Sequence, residues 1–185
     1  SDLIQNGDIS FLGENELVDG LSLTTAQFEQ ILTQFKNQDM NNNGRNDDEL
    51  PLSFVYQNWQ GNQSDLYGAF GVPENIDHLT LVNDEITFTP LMPRWMEATQ
   101  YYNNWVSNGL IDMEVFSQSQ DAFLAKGKAT DQKLGSFYWW ESETVVKNPE
   151  DYIVMSPLIG PHGDQYIGVS NTPEVSKGNF VILSN

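Results

Sequence analysis

Apolar side chains along this chain recur with two periods, which predict alternating helices and strands. One helical stripe consists of Phe28, Ile31, Leu32 and Phe35, and a longer one of Trp95, Ala98, Tyr102, Trp105 and Val106. Thr24 and Gln27 form a capping-box pair, so the first helix is predicted to span Thr25–Asn37. The second is predicted to start at Thr89 and Pro90 and to end at Gly109. Short helices are predicted over residues 64–70 and 120–126.

Period-two alternation predicts the strands. Leu79, Leu81, Ile86 and Phe88 alternate with polar residues around Asn83 and Asp84, which is typical of a two-residue hairpin. Further strands are predicted at residues 50–55, 134–140, 152–155, 165–169 and 179–183. Residues 9–12 fit either a strand or the start of a short helix. Because strands alternate with helices and no linker divides the chain, we predict one α/β domain over residues 1–185.

An oxygen-rich loop between the first helix and the next strand predicts a cation site. Asp39, Asn41, Asn43 and Asp47 place side-chain oxygens at short intervals, and Gly44 stands where the loop must turn. Ca²⁺ prefers six to eight such oxygens. The opening agrees with an EF-hand loop, but the position that requires a bidentate Glu is Leu50, and Glu49 comes one residue early. The alternative is a polar turn that binds nothing.

Charge and composition exclude several classes of function. The 185 residues carry 26 acidic and 8 basic side chains, a formal charge of −18, so nucleic acid and anionic lipid are excluded as main partners. The chain has no cysteine, which excludes disulfides and thiolate sites. No apolar run is long enough to span a membrane, so direct membrane insertion is not expected. Both chain ends suggest a segment cut from a longer protein.

Aromatic residues near strand ends are the candidate ligand contacts. Indole and phenol rings stack on the C–H faces of sugars, and open α/β sheets bind ligands at the carboxyl ends of their strands. The candidates are Tyr56, Trp59, Trp139, Trp140 and Glu141. Consecutive strand residues point to opposite faces, so only one of Trp139 and Trp140 lines a cleft unless the strand has already ended. Core packing is the alternative, and it is favoured for Trp95 and Trp105.

Catalytic motifs are sparse. Glu141 and Glu143 invite a glycosidase interpretation, but two acids two residues apart are poorly placed to flank a glycosidic bond. His78 and His162 each stand alone, and the sequence has neither a G-x-S-x-G motif nor a glycine-rich phosphate loop. An enzyme is therefore not expected.

Several stretches together resemble extracellular solute-binding proteins of bacterial ABC transporters, in the carbohydrate-type branch that includes Gram-positive lipoproteins and alginate-binding proteins. The resemblance rests on residues 24–28, the loop after them, 50–52, 70–72, 108–112 and 156–163. It implies one α/β lobe of a periplasmic-binding-protein-like (type II) two-lobed fold, joined to a missing second lobe by hinge strands. It also implies a non-enzymatic receptor that closes on its ligand and delivers it to permease subunits.

The same resemblance implies a ligand, a location and a structural Ca²⁺ site. The expected ligand is a mono- or oligosaccharide, and the expected location is extracellular, lipid-anchored at the cell surface, or periplasmic. The calcium loop would span residues 39–50. Its implied ligands are Asp39, Asn41, Asn43, the Arg45 carbonyl, Asp47 and Asp48, with Glu49 as a possible substitute. The alternatives are a calcium-stabilised glycoside hydrolase fragment and an autonomous carbohydrate-binding or adhesion module.

Overall fold

The computed structural model describes residues 2–56, 58 and 64–165. The α-helices in this part are α1 Asp2–Gln5, α2 Thr25–Asn37, α3 Ser64–Tyr67, α4 Pro93–Ser107, α5 Gln120–Gly127 and α6 Ser142–Val145. Its strands are β1 Leu50–Ser53, β2 Leu79–Val82, β3 Glu85–Phe88 and β4 Leu134–Phe137. Short 3₁₀ helices lie at Glu14–Glu16, Gly68–Phe70, Thr89–Leu91, Met113–Phe116 and Pro149–Asp151.

Two parallel strands form the buried sheet of the lobe. In β1 and β4, Leu50 pairs with Leu134 and Ser53 with Phe137. A single parallel bridge joins Leu52 to Ile111. Parallel strands must be connected by crossovers, and β1 is covered by α2 and by core residues of α4, with its last three residues buried. The two strands therefore end at the same edge, as the predicted α/β class requires.

Helix α2 begins and ends where the sequence predicts. The Thr24 hydroxyl oxygen accepts the Gln27 N–H at 3.2 Å, and the Gln27 side-chain oxygen accepts the Thr24 N–H at 2.9 Å. This reciprocal pair satisfies donors that have no partner inside the helix. Phe28 and Leu32 are buried on the inner face of α2, which runs directly into the acidic loop.

Helix α4 begins later than predicted. Thr89–Leu91 forms a 3₁₀ turn, and the α-helix starts only at Pro93. The residue before a proline is disfavoured in the helical region, and Met92 takes an extended ψ of 136°. The predicted end is confirmed. Gly109 has φ 68°, and the Leu110 N–H folds back to the Trp105 carbonyl at 2.8 Å.

Three of the other strand predictions need correction, and two fall almost wholly outside the described residues. The strand predicted at 50–55 ends at Ser53, and the strand predicted at 134–140 ends at Phe137. Residues 152–155 form no strand, because a single bridge joins Met155 to Leu21 and Pro157 has no N–H to continue the ladder. The strand predicted at 179–183, and all but the first residue of that at 165–169, lie outside the described residues.

The hairpin is confirmed, and its apolar face is exposed. β2 and β3 pair antiparallel, and Asn83 and Asp84 take positive φ values of 51° and 65°, as a type I′ turn requires. The side chains exposed on this face are Leu79, Leu81, Ile86 and Phe88. The predicted short helix at 120–126 is also confirmed by α5, which Ser119 caps.

The main core lies between α2, α4 and β1 and is rich in aromatic residues. Trp105 is fully buried, with its ring centroid 5.0 Å from Tyr102 and 6.0 Å from Phe28. This confirms the core assignment of Trp105. A second cluster contains Phe123 and Leu134, and a third joins Leu3 of α1 to Ile9 and Leu12. Residues 9–12 form neither a strand nor a helix.

Candidate functional site

The acidic loop wraps its side-chain oxygens around its own backbone. The Asp39 carboxylate accepts the Asn43 N–H at 3.0 Å and the Gly44 N–H at 2.7 Å. The Asn43 side-chain oxygen accepts the Arg45 N–H at 2.8 Å. Gly44 turns the loop with φ 86°, a conformation that residues with a Cβ rarely adopt. The loop is therefore organised by the same oxygens that the sequence suggests as cation ligands.

The end of this loop carries carboxylate oxygens without partners. Glu49 is only 8% exposed; its Oε1 accepts the Met40 N–H at 2.7 Å, whereas its Oε2 and the Asp48 Oδ1 have no hydrogen-bond partner. Burial raises the pKa of Glu49, the backbone N–H bonds oppose that shift, and the charges of Asp48 and Asp39 add to it. Buried carboxylate oxygens of this kind need a cation or a proton.

Acid side chains alone do not assemble a metal site here. Within the described residues, no group of three or more His, Asp or Glu side chains is arranged to hold a metal ion. Asp47 is paired with Arg45, whose Nε lies 3.1 Å from its Oδ1. A cation in this loop would therefore need amide and main-chain carbonyl oxygens as well as carboxylates, which is chemistry that Ca²⁺ accepts.

The shared carboxyl edge of β1 and β4 places aromatic side chains together. Tyr56 follows β1, and its N–H donates to the Val115 carbonyl at 3.2 Å. Its ring lies 5.5 Å from that of Phe116, centroid to centroid. Tyr56 is 39% exposed and Phe116 54%. Tyr56 was predicted from the sequence but Phe116 was not, because long-range pairing of residues 111–115 with β1 and Tyr56 brings Phe116 to this edge.

The candidates after β4 have separate environments. Trp139 turns inward, with its ring 5.5 Å from Phe123 and its buried Nε1 without a partner. Trp140 is 68% exposed. Glu141 is exposed at the start of α6 and accepts the Thr144 hydroxyl. Trp59 lies outside the described residues. Of the predicted tryptophan pair, Trp140 is therefore the exposed side chain and Trp139 the inward-facing one.

A buried polar network holds Phe116 in place. Asp112, 9% exposed, accepts the Ser53 hydroxyl at 2.9 Å and binds the Lys126 ammonium at 2.6 Å. Its other oxygen caps the 3₁₀ helix by accepting the Glu114 N–H at 2.9 Å. These bonds join the end of β1, the 3₁₀ helix and α5. Sequence spacing did not indicate the network, since its members lie up to 73 residues apart, from 53 to 126.

A cavity of about 380 Å³ opens beside Tyr56 and Phe116. Its walls include the aromatic residues Tyr67 and Trp95, whose ring centroids are 5.6 Å apart. Trp95 is thus half-buried against the core and also lines this cavity. Pockets for small ligands are typically about 300–1,000 Å³, largely apolar and supplied with few polar groups. Nothing in the sequence predicts this cavity, because its walls come from segments far apart along the chain.

Comparison with known proteins identifies the class of protein. No family model matches the sequence. Over 162 residues, 87% of the chain, it is 34% identical to the fructooligosaccharide ABC transporter substrate-binding protein FusA of Streptococcus pneumoniae serotype 4, of which it spans 30%. The structure of FusA with kestose matches with TM-score 0.73 at 34% identity, over 82% of this chain and 30% of FusA.

Two further structures extend the comparison. An EF-hand mutant of FusA with fructo-nystose gives TM-score 0.72 at 33% identity, over 82% of this chain and 30% of that one. An ABC-transporter-associated solute-binding protein from Bifidobacterium longum infantis gives 0.58 at 18% identity, over 72% of this chain and 30% of that one, a likeness of fold alone.

The chain is thus homologous to part of a bacterial ABC-transporter substrate-binding protein, as its motifs predict. The predicted fold class, one α/β lobe of a larger solute-binding fold, is confirmed by the same structures. These relatives are binding proteins and not enzymes, which agrees with the expectation of no catalysis. Among the helices that the structure describes, none has the length and apolar character to cross a membrane.

Proposed function

We propose that this chain is one lobe of an extracytoplasmic receptor that captures an oligosaccharide and delivers it to ABC permease subunits. The observation that carries the proposal is the pair of exposed rings Tyr56 and Phe116 at the β1–β4 edge, with the exposed Trp140 shortly after β4, in a chain 34% identical to a fructooligosaccharide-binding relative. Fructooligosaccharides are therefore the first ligands to test. The relatives' class supports a location outside the cytoplasm, on the cell surface or in the periplasm.

The geometry suits capture by stacking and closure. Sugar rings present C–H faces that pack on indole and phenol rings, while polar neighbours bond the hydroxyl groups. This lobe supplies one wall, and the second lobe would supply the other. Ligand bound between two lobes favours the closed state by its extra contacts there, and no bond is made or broken.

Replacing Trp140 with alanine in the complete two-lobed receptor is expected to weaken kestose binding about tenfold, or about 1.4 kcal/mol, because an exposed stacking surface is lost. Isothermal titration calorimetry measures the change, and Tyr56→Ala should act in the same direction. Val154→Ala is the control, since Val154 is also 68% exposed but its backbone bonds to Asp19 and Gly20. Unchanged affinity in both aromatic variants would exclude this edge from the ligand site.

We further propose that the loop of residues 39–50 binds a structural Ca²⁺. The support is the unpartnered Asp48 Oδ1 and Glu49 Oε2, the surplus of hard oxygens, and the EF-hand of the FusA relative. The unpartnered oxygens of Asp48 and Glu49 would be two of the ligands. The remaining ligands would be Asp39, Asn41, Asn43, Asp47 and the Arg45 carbonyl. The bound cation would neutralise the carboxylates and tie the end of α2 to β1.

Chelation with EDTA is therefore expected to lower the melting temperature relative to millimolar Ca²⁺. At a free concentration 100 times the dissociation constant, one bound ion adds about 2.7 kcal/mol. That corresponds to about 5–10 °C for a domain of this size. Differential scanning calorimetry of wild type, the double variant Asp48→Asn and Glu49→Gln, and the exposed-acid control Glu85→Gln checks the prediction. Only the double variant should lose the calcium dependence, and equal wild-type melts with and without Ca²⁺ would refute the site.

A further inference from the structure

The cavity beside the aromatic edge is built around a buried carboxylate. Glu74 is 2% exposed. Its Oε1 accepts the Thr89 hydroxyl at 2.6 Å and the Asn75 N–H at 2.9 Å. Its Oε2 accepts the Trp95 indole N–H. One carboxylate therefore joins the segment before the hairpin to the start of α4, and it orients the indole that lines the cavity.

The Glu74 carboxylate also lies beside His78, another residue that lines the cavity. His78 Nδ1 lies 3.1 Å from Glu74 Oε2, although the contact lacks the geometry of a hydrogen bond and the nitrogen has no other partner. His78 takes φ 57°, in the left-handed region, and its carbonyl accepts the Thr89 N–H at 2.9 Å. A residue held in a sparsely populated conformation by surrounding bonds is typical of binding and switch sites.

Polar atoms are spaced along the aromatic wall. The Tyr67 hydroxyl and Thr99 Oγ1 are 2.9 Å apart, and Thr99 in turn donates to the Trp95 carbonyl at 2.8 Å. One helical turn further along α4, Asn103 is exposed and lines the same cavity. None of the lining side chains is a lysine or arginine. A neutral ligand with apolar faces and scattered hydroxyl groups matches this lining, and an anion does not.

We propose that this cavity is a subsite for one terminal sugar ring of the oligosaccharide that binds at the β1–β4 edge. Tyr56 and Phe116 line the cavity and belong to that edge, so a ligand lying on them reaches the cavity without a break. Trp95 and Tyr67 supply the stacking walls, and the exposed Asn103 supplies the main polar contact. The Thr99 hydroxyl donates to the Trp95 carbonyl, so toward a sugar it could act only as an acceptor. Glu74 is a positioning residue, because its oxygens are occupied by protein donors. The subsite rests on the proposed function, which it deepens.

The test is a substitution that fills part of the cavity at an exposed lining residue, so that the core is not disturbed. Asn103→Phe places a ring at the lining, whereas Asn104→Phe places the same ring at an exposed position of α4 that does not line the cavity. Both variants are made in the complete two-lobed receptor. Kestose and fructo-nystose are titrated by calorimetry, and the melting temperature of each variant is recorded.

Asn103→Phe is expected to weaken binding of both sugars at least tenfold, while Asn104→Phe stays within twofold of wild type and both variants melt as wild type does. Wild-type affinity in Asn103→Phe would overturn the subsite and leave the proposed function intact. A lowered melting temperature with unchanged affinity would also overturn it, since the cavity would then be filled by protein. If the wild-type receptor binds neither sugar, the proposed ligand class is wrong, and the subsite proposal that rests on it is rejected as well.

Discussion

Replacing Gly160 with alanine is expected to remove more than about 3 kcal/mol from the free energy of unfolding of the lobe. A Cβ at this position would lie 1.5 Å from the Ala69 carbonyl oxygen and 2.5 Å from its carbon. Backbone atoms cannot move aside as a flexible side chain can. The segment around Gly160 also anchors α2, because the Ile159 carbonyl accepts the Thr25 N–H at 2.9 Å.

The measurement is thermal or urea unfolding of the variant beside a matched glycine. Gly13→Ala is the control, since its Cβ would meet only Glu16 Oε2, at an ordinary 3.5 Å. The Gly160 variant should melt about 10 °C lower than wild type, and the control within about 2 °C. If the two variants melt alike, the close approach of Gly160 to Ala69 is not a feature of the folded chain.

The second large effect is expected for Trp105→Ala, which should cost about 3–5 kcal/mol. The indole is fully buried and packs against Phe28, Tyr101 and Tyr102, so its removal leaves a cavity lined by rigid rings. The loss should appear as a lower urea midpoint with an unchanged m-value.

Trp140→Ala provides the comparison, because that side chain is 68% exposed. It should change the free energy of unfolding by no more than about 0.5 kcal/mol, as surface substitutions usually do. The two substitutions, Trp105→Ala and Trp140→Ala, separate the role of tryptophan in stability from its role in binding. The buried tryptophan should affect stability, and the exposed tryptophan should affect sugar binding. A Trp105 variant as stable as wild type would contradict the aromatic core described here.

Local elements were predicted well where their signals lie close in the sequence. The capping pair Thr24 and Gln27 and the terminator Gly109 mark helix ends through bonds within a few residues. The Asn83–Asp84 turn does the same for the hairpin. Pro93 shows where such local signals fail to fix the start of a helix. A second proline there moved the start of α4, because Met92 had to leave the helical region.

The candidate site was predicted only in part. Tyr56 and Trp140 follow strands, and the rule that ligands bind at strand ends is enough to select them. Trp139 satisfies the same rule, but its ring packs on Phe123. Glu74 and Phe116 had no signal, since an acid in an acidic chain and a phenylalanine before a polar stretch look ordinary. Their significance comes from partners 15 or more residues away, such as Thr89 for Glu74.

The sequence by itself determined the α/β class, the oxygen-rich loop after α2 and the resemblance to transporter receptors, because periodicity, caps and short motifs are local properties of a chain. Tertiary structure alone decided which aromatic side chains meet at the β1–β4 edge and that a cavity opens beside them. It also decided that Glu74 orients Trp95. Those outcomes depend on which distant segments pack together, and burial and long-range hydrogen bonds settle that only when the whole lobe folds.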